Sequence, residues 1–158
     1  DLQVMRGGCE VRKCSDYNPD YSTVAGDTPF ADGQQYWEVR LDQLGNMRIG
    51  VAQLPIRLDL PFYDDVNLGG SVWYLDYDGE CCENVAGQSQ RVRSLASGPL
   101  AAGDYVGFQL DMDEGTLRVF VNGKDQGVAF TGLKAWAPLH PVFNLDNQDE
   151  QVTLVAAS

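Results

Sequence analysis

Residues 103–130, GDYVGFQLDMDEGTLRVFVNGKDQGVAF, decide the fold. They read as three β-strands separated by two turns. Asp113-Glu114-Gly115 closes the first turn and Asn122-Gly123 closes the second. Asn-Gly is the strongest short-range hairpin signal, because both positions tolerate the positive φ that a two-residue hairpin loop requires.

Working outward, Tyr36 to Leu41 alternates, with Trp37, Val39 and Leu41 on one face and Tyr36, Glu38 and Arg40 on the other. Further strands are expected at 47–52, 72–77, 91–95, 104–111, 116–121, 126–130, 139–145 and 151–155. No segment carries an apolar period of 3.6. Many short strands at close spacing point to an all-β chain, a β-sandwich of two antiparallel sheets. Residues 1–34 are turn-rich and read as an irregular segment ahead of a sandwich core at 35–156, the whole of 1–158 forming a single domain. Between Gln53 and Gly70, Pro55, Pro61 and Asp64-Asp65 mark one long loop. Loops of that length usually serve function.

Composition narrows the classes. An apolar fraction of 44% in 158 residues suffices for one packed core. Seventeen glycines and seven prolines are spread along the chain, as many short strands joined by turns require. No apolar run reaches the length of a membrane span, and the opening DLQVMRGG lacks a signal-peptide pattern. The chain starts without methionine and is read as a piece of a larger protein. Against 11 basic residues stand 23 acidic ones, a net charge of −12. That field repels phosphate backbones and anionic lipid, so neither nucleic acid nor membrane is expected as a partner.

Catalytic and metal chemistry find little support. The cysteines are Cys9, Cys14, Cys81 and Cys82. Cys81 and Cys82 are adjacent in an apparent strand, so their side chains diverge and a shared zinc ion is not expected. The thiols are read as reduced, in an intracellular protein of cytoplasm or nucleus. Asp111, Asp113 and Glu114 miss the calcium-loop spacing and read as a hairpin turn. Asp146, Asn147, Asp149 and Glu150 read as a solvated turn. His140, the single histidine, lacks a partnered nucleophile and reads as a strand residue satisfied by backbone. No cofactor, no metal and no enzyme activity are expected.

The aromatics say more. Tyr17, Tyr21, Phe62, Tyr63 and Trp136 fall in predicted loops, where large side chains either plug the ends of a sandwich or anchor a partner.

An ordered series of motifs resembles the SPRY domain family. Thr28-Pro29-Phe30, Gly33 and Tyr36-Trp37-Glu38-Val39 resemble its approach to a "YWEV"-type strand. Met47-Arg48-Ile49-Gly50-Val51-Ala52 is similar to its "RIGWA" strand, and Trp73-Tyr74-Leu75-Asp76-Tyr77-Asp78-Gly79 to its "SWGYDG" segment. Gly103-Asp104-Tyr105-Val106-Gly107 with Leu110-Asp111-Met112-Asp113 matches "GDVIGCLLDLD", and the stretch from Asn122 to Phe130 is close to "NGKDLGVAF". Two positions depart: Val51 stands where Trp is common, and Val72 precedes Trp73 where Ser is usual.

The resemblance implies a concanavalin-like sandwich that recognises proteins or short peptides through its loops, as part of an adaptor or scaffold and monomeric as an isolated domain. The expected partner is neutral to basic. Chosen by loop position, the expected contact residues are Tyr17, Tyr21, Arg57, Phe62, Tyr63, Trp136, Asp146 and Asn147. The aromatics would be desolvated anchors, Arg57 a fork for a carboxylate or carbonyl, and Asp146 and Asn147 partners for peptide backbone. A lectin-like carbohydrate binder and a domain packed permanently inside a large assembly are the alternatives.

Overall fold

The computed structural model describes residues 2–5, 10–13, 22–26, 28–57, 59, 62, 65, 67–145 and 150–157. Thirteen strands run through them: β1 (Leu2–Met5), β2 (Glu10–Lys13), β3 (Ser22–Ala25), β4 (Gln34–Gln43), β5 (Arg48–Gln53), β6 (Ser71–Asp76), β7 (Glu80–Val85), β8 (Gln88–Ser94), β9 (Tyr105–Asp111), β10 (Thr116–Val121), β11 (Lys124–Phe130), β12 (His140–Leu145) and β13 (Gln151–Ala157). One 3-10 turn, Leu133–Trp136, interrupts the series. All pairings are antiparallel and form two sheets, β1-β2-β13-β4-β9-β10-β11 and β3-β12-β5-β6-β7-β8. This is the open sandwich that the strand and turn signals imply.

The opening stretch behaves as read. β9 and β10 pair from Thr116↔Asp111 to Val121↔Val106, and β10 and β11 close at Val121↔Lys124. Asn122 and Gly123 between them sit at φ 51 and 78, the left-handed pair of a tight hairpin. At the other turn, the Asp111 carboxylate accepts the backbone N–H groups of Asp113 and Glu114, both at 3.0 Å. The acidic cluster is thus engaged in shaping a hairpin.

Residues 1–34 are not uniformly irregular, and this corrects the sequence reading. β1, β2 and β3 lie within them, each four residues long. Strands that short hold too few residues for alternation to show, and they lie toward the sheet edges, where one side of the backbone has no neighbour to satisfy.

The core follows alternation. Trp37, Val39 and Leu41 of β4, Val106, Phe108 and Leu110 of β9, and Leu117, Val119 and Val121 of β10 point inward. They meet Ile49 and Val51 of β5 and Trp73 and Leu75 of β6. Trp37 is stacked between Phe30 and Phe108, at centroid distances of 5.8 and 5.4 Å.

The six-stranded sheet has a second apolar side. Ala52, Val72, Tyr74 and Val142 face away from the inter-sheet core and are buried under Ile56, Phe62 and Leu68 of the long loop. β6 is therefore buried at five successive positions. Cys81 joins the inter-sheet core while Cys82 packs on the outer cluster, the divergence expected of adjacent strand residues.

At the sides, edge strands meet. The Arg93 guanidinium on β8 donates to the backbone carbonyls of Gln126 and Val128 on β11, both at 2.8 Å. Those carbonyls lie on the outer edge of the seven-stranded sheet, so the fork satisfies groups that no further strand reaches.

Candidate functional site

Of the residues expected to contact a partner, the described ones, Arg57, Phe62 and Trp136, lie toward the first of the two ends of the six-stranded sheet. At the first end, β5 leaves at Gln53, β6 begins at Ser71 and β12 begins at His140, opposite Ala52. The described residues of the long loop are fastened. The Phe62 ring packs on Tyr74 at 5.5 Å, and its carbonyl accepts hydrogen bonds from Asn84 Nδ2 and Ser89 Oγ, each 3.3 Å. Ser89 N–H donates to the Asp65 carboxylate at 2.7 Å, and Arg57 N–H to the Leu68 carbonyl at 2.7 Å. Pro55, Ile56, Arg57, Asn67, Leu68 and Gly69 line an open depression on the loop.

Arg57 stands at that rim with its side chain 59% exposed. Its guanidinium forks onto the Asp59 carboxylate at 3.1 and 3.0 Å, two residues along. The hydrogen bond from Arg57 holds the Asp59 carboxyl below the usual carboxylate range. Both groups are open to water, where such a pair contributes little and is exchanged easily.

On the inward side of the same end, Trp136 closes the 3-10 turn and lies against Trp73, ring centroids 5.7 Å apart. It is half-buried, plugging the sandwich while keeping part of its ring accessible. The turn is tied down by Leu133 N–H on the Gly115 carbonyl at 2.9 Å. His140 Nδ1 lies 2.7 Å from the Gly26 carbonyl, so its imidazole is satisfied by backbone as expected.

Phe62 requires a correction. Expected among the contact residues, it is wholly buried, and its side chain covers the sheet instead of facing a partner. The outer sheet face would otherwise leave Val72, Tyr74 and Val142 in water, and burying a ring of this size gains roughly 1.5–3 kcal/mol. Tyr17, Tyr21, Tyr63, Asp146 and Asn147 lie outside the described residues.

β3 begins at Ser22 and β12 ends at Leu145, paired with each other at the far end of the sheet from Gln53 and Ser71. That far end has its own polar row. Thr23, Asn144, Arg48 and Asp76 are register partners across four neighbouring strands. Asn144 Nδ2 donates to Thr23 Oγ1 at 2.9 Å, buried Arg48 donates to the Asn46 carbonyl at 2.8 Å, and Asp76 lies 3.5 Å from Arg48. Burial pushes the Asp76 carboxyl up. Sequence reasoning passed over this row because its residues look like ordinary solvent-facing positions of alternating strands.

Residues 34–157 match the SPRY domain family. The chain belongs to that family. Solved structures agree on the fold of this SPRY domain. It is similar to the SPRY domain of human HERC1, with a TM-score of 0.74 at 19% identity over 97% of this chain and 91% of that one. It is also similar to the PSpry domain of TRIM65, at 0.71 and 21% over 98% and 85%. A further human SPRY domain matches at 0.68 and 16% over 97% and 93%. SPRY domains generally serve as protein-interaction modules.

Proposed function

We propose that this SPRY domain is a non-catalytic recognition module that docks an extended segment of a partner protein across the rim of its long loop. The observation that carries the reading is Arg57. Its planar fork is held ready by an exposed carboxylate of the same loop, while Phe62 and the bonds to Asn84 and Ser89 tie that loop to the sheet at one point. A partner carboxylate or carbonyl would take the place of Asp59 at small cost, because one exposed ion pair is exchanged for another. Ordering the loop beforehand lowers the entropy lost on binding.

Tyr63 and the accessible part of Trp136 are proposed as further aromatic anchors for the partner. Tyr17, Tyr21, Asp146 and Asn147 are proposed as further contacts along the bound segment. A net charge of −12 favours a partner that is neutral to basic overall, with its acidic or carbonyl group confined to the Arg57 position. The reading includes an intracellular setting, where thiols such as Cys81 and Cys82 stay reduced.

The experiment is capture of partners on the isolated 158-residue chain, identification by mass spectrometry, and calorimetry of the mapped peptide against Arg57→Ala. Weakened binding by that variant with unchanged thermal stability supports the reading. Unchanged affinity in Arg57→Ala, Tyr63→Ala and Trp136→Ala alike would move the interface off this rim.

A further inference from the structure

The outer face of the seven-stranded sheet is left uncovered by the rest of the described chain, and its register assembles an acid beside two aromatic rings. Glu38 of β4, Gly107 of β9 and Phe120 of β10 are direct register partners in one row. Gly107 leaves that row without a central side chain. Tyr36, two residues before Glu38 on the same face, leans into the gap. Its hydroxyl oxygen lies only 2.5 Å from where a Cβ on residue 107 would stand. The Tyr36 ring meets Phe120 edge-on, at 6.1 Å between centroids and 74° between planes. Its hydroxyl donates to Glu38 Oε2 at 3.5 Å, the outer limit of a hydrogen bond, so the carboxylate keeps most of its accepting capacity.

Among the residues of this face whose side chains are described, both arginines are already paired. Arg40 pairs with Asp42, and Arg118 pairs with Asp125 at 2.9 Å. Among the described residues, no cation of the chain serves Glu38. A half-buried carboxylate next to an aromatic wall is the chemistry that holds a planar cation: the carboxylate takes the guanidinium hydrogen bonds, and a ring face takes the guanidinium plane. The chain's net charge of −12 draws such a ligand in. Burial, and then the Glu38 charge, push the Tyr36 phenol up, which keeps its hydroxyl a donor to that carboxylate.

We propose that Glu38, Tyr36 and Phe120 form a receptor for one arginine side chain of a basic segment on a partner protein. This surface lies on the opposite sheet from the Arg57 rim and does not rest on the reading given for that rim.

The test is a nitrogen-15 NMR titration of the 158-residue chain with an acetylated, amidated Gly-Arg-Thr-Arg-Gly peptide and its citrulline counterpart, which keeps the shape and loses the charge. Saturable shifts at the amides of Glu38, Gly107 and Phe120 are expected with the arginine peptide. Replacing arginine by citrulline, or Glu38 by Gln, should weaken them by about fivefold to tenfold, as loss of a charge-assisted bond beside an aromatic ring implies. Phe120→Leu should weaken them too, while Arg57→Ala should leave them unchanged. No saturable shift at millimolar peptide, equal response to citrulline, or undiminished binding in Glu38→Gln overturns the proposal. Because the citrulline comparison uses the unaltered chain, a folding defect in a variant cannot obscure the outcome.

Discussion

Phe62 and Tyr74 face one another at 5.5 Å on the outer side of the six-stranded sheet, so a loop residue supplies the lid of a second small core. Removing the ring in Phe62→Ala leaves a cavity over Val72 and Tyr74. It should cost about 3–5 kcal/mol in chemical denaturation, the range for a buried aromatic. Limited proteolysis should then cut between residues 54 and 70 before the strands are attacked. A loss below 1 kcal/mol, with the loop still resistant, would show that the loop is held by its hydrogen bonds alone.

Arg93 is expected to be worth more than its single charge. Arg93→Ala strips the carbonyls of Gln126 and Val128 of their donors and exposes the β11 edge, which should lower stability by about 1–3 kcal/mol. Arg93→Lys should recover only part, since an ammonium cannot fork onto two carbonyls. Sedimentation should show some self-association of the alanine variant through the freed edge. Equal stability of the lysine and native chains would reduce the guanidinium to a point charge.

Trp136 and Tyr63 separate stability from recognition. Trp136→Ala breaks the contact with Trp73 and should cost about 2 kcal/mol of folding free energy as well as partner affinity. Tyr63→Ala should weaken partner binding by roughly 1–3 kcal/mol with a native circular dichroism spectrum. Calorimetry on the identified partner decides between these outcomes.

The thiols set an alkaline limit. Burial pushes Cys81 up to about 12 and Cys82 up to about 11, from an ordinary value of 9.0. Unfolded chains release these protons near 9 while the folded chain holds them. Stability from this source is therefore full below pH 9 and is lost as the pH climbs toward 11 and 12. Melting temperatures measured across that window should fall steeply, and less steeply in Cys82→Ala. Iodoacetamide at neutral pH should label both thiols slowly until denaturant is added. Rapid labelling of Cys82 in the native chain, located by peptide mass mapping, would mean that the outer cluster opens readily.

Much of the sandwich was legible because its inward faces alternate cleanly: Trp37, Val39 and Leu41 by themselves announce which side of β4 is buried. Asn122-Gly123 announces its hairpin for an equally local reason. β1 to β3 were not legible, since four residues fit too many patterns. The role of Phe62 was hidden for a different cause. Position in a loop suggests exposure, and only the unbroken apolar run Val72-Trp73-Tyr74-Leu75 hinted that both faces of β6 need cover. Glu38 and Phe120 were visible as outward residues, but their adjacency depends on cross-strand register, which no single strand encodes. Arg57 was legible as a long-loop cation; its tether to Asp59 was not.

Double coverage of β5 and β6 gives the domain an uneven resistance to local opening. Their backbone amides are shielded by the inter-sheet core on one side and by the long loop on the other, so deuterium can reach them only when the whole chain comes apart. β9 and β10, packed on one side only, can exchange through partial excursions. The loop that would meet a partner is thus anchored to the slowest-breathing part of the molecule, and a ligand seated on it pulls against a keel rather than a fringe.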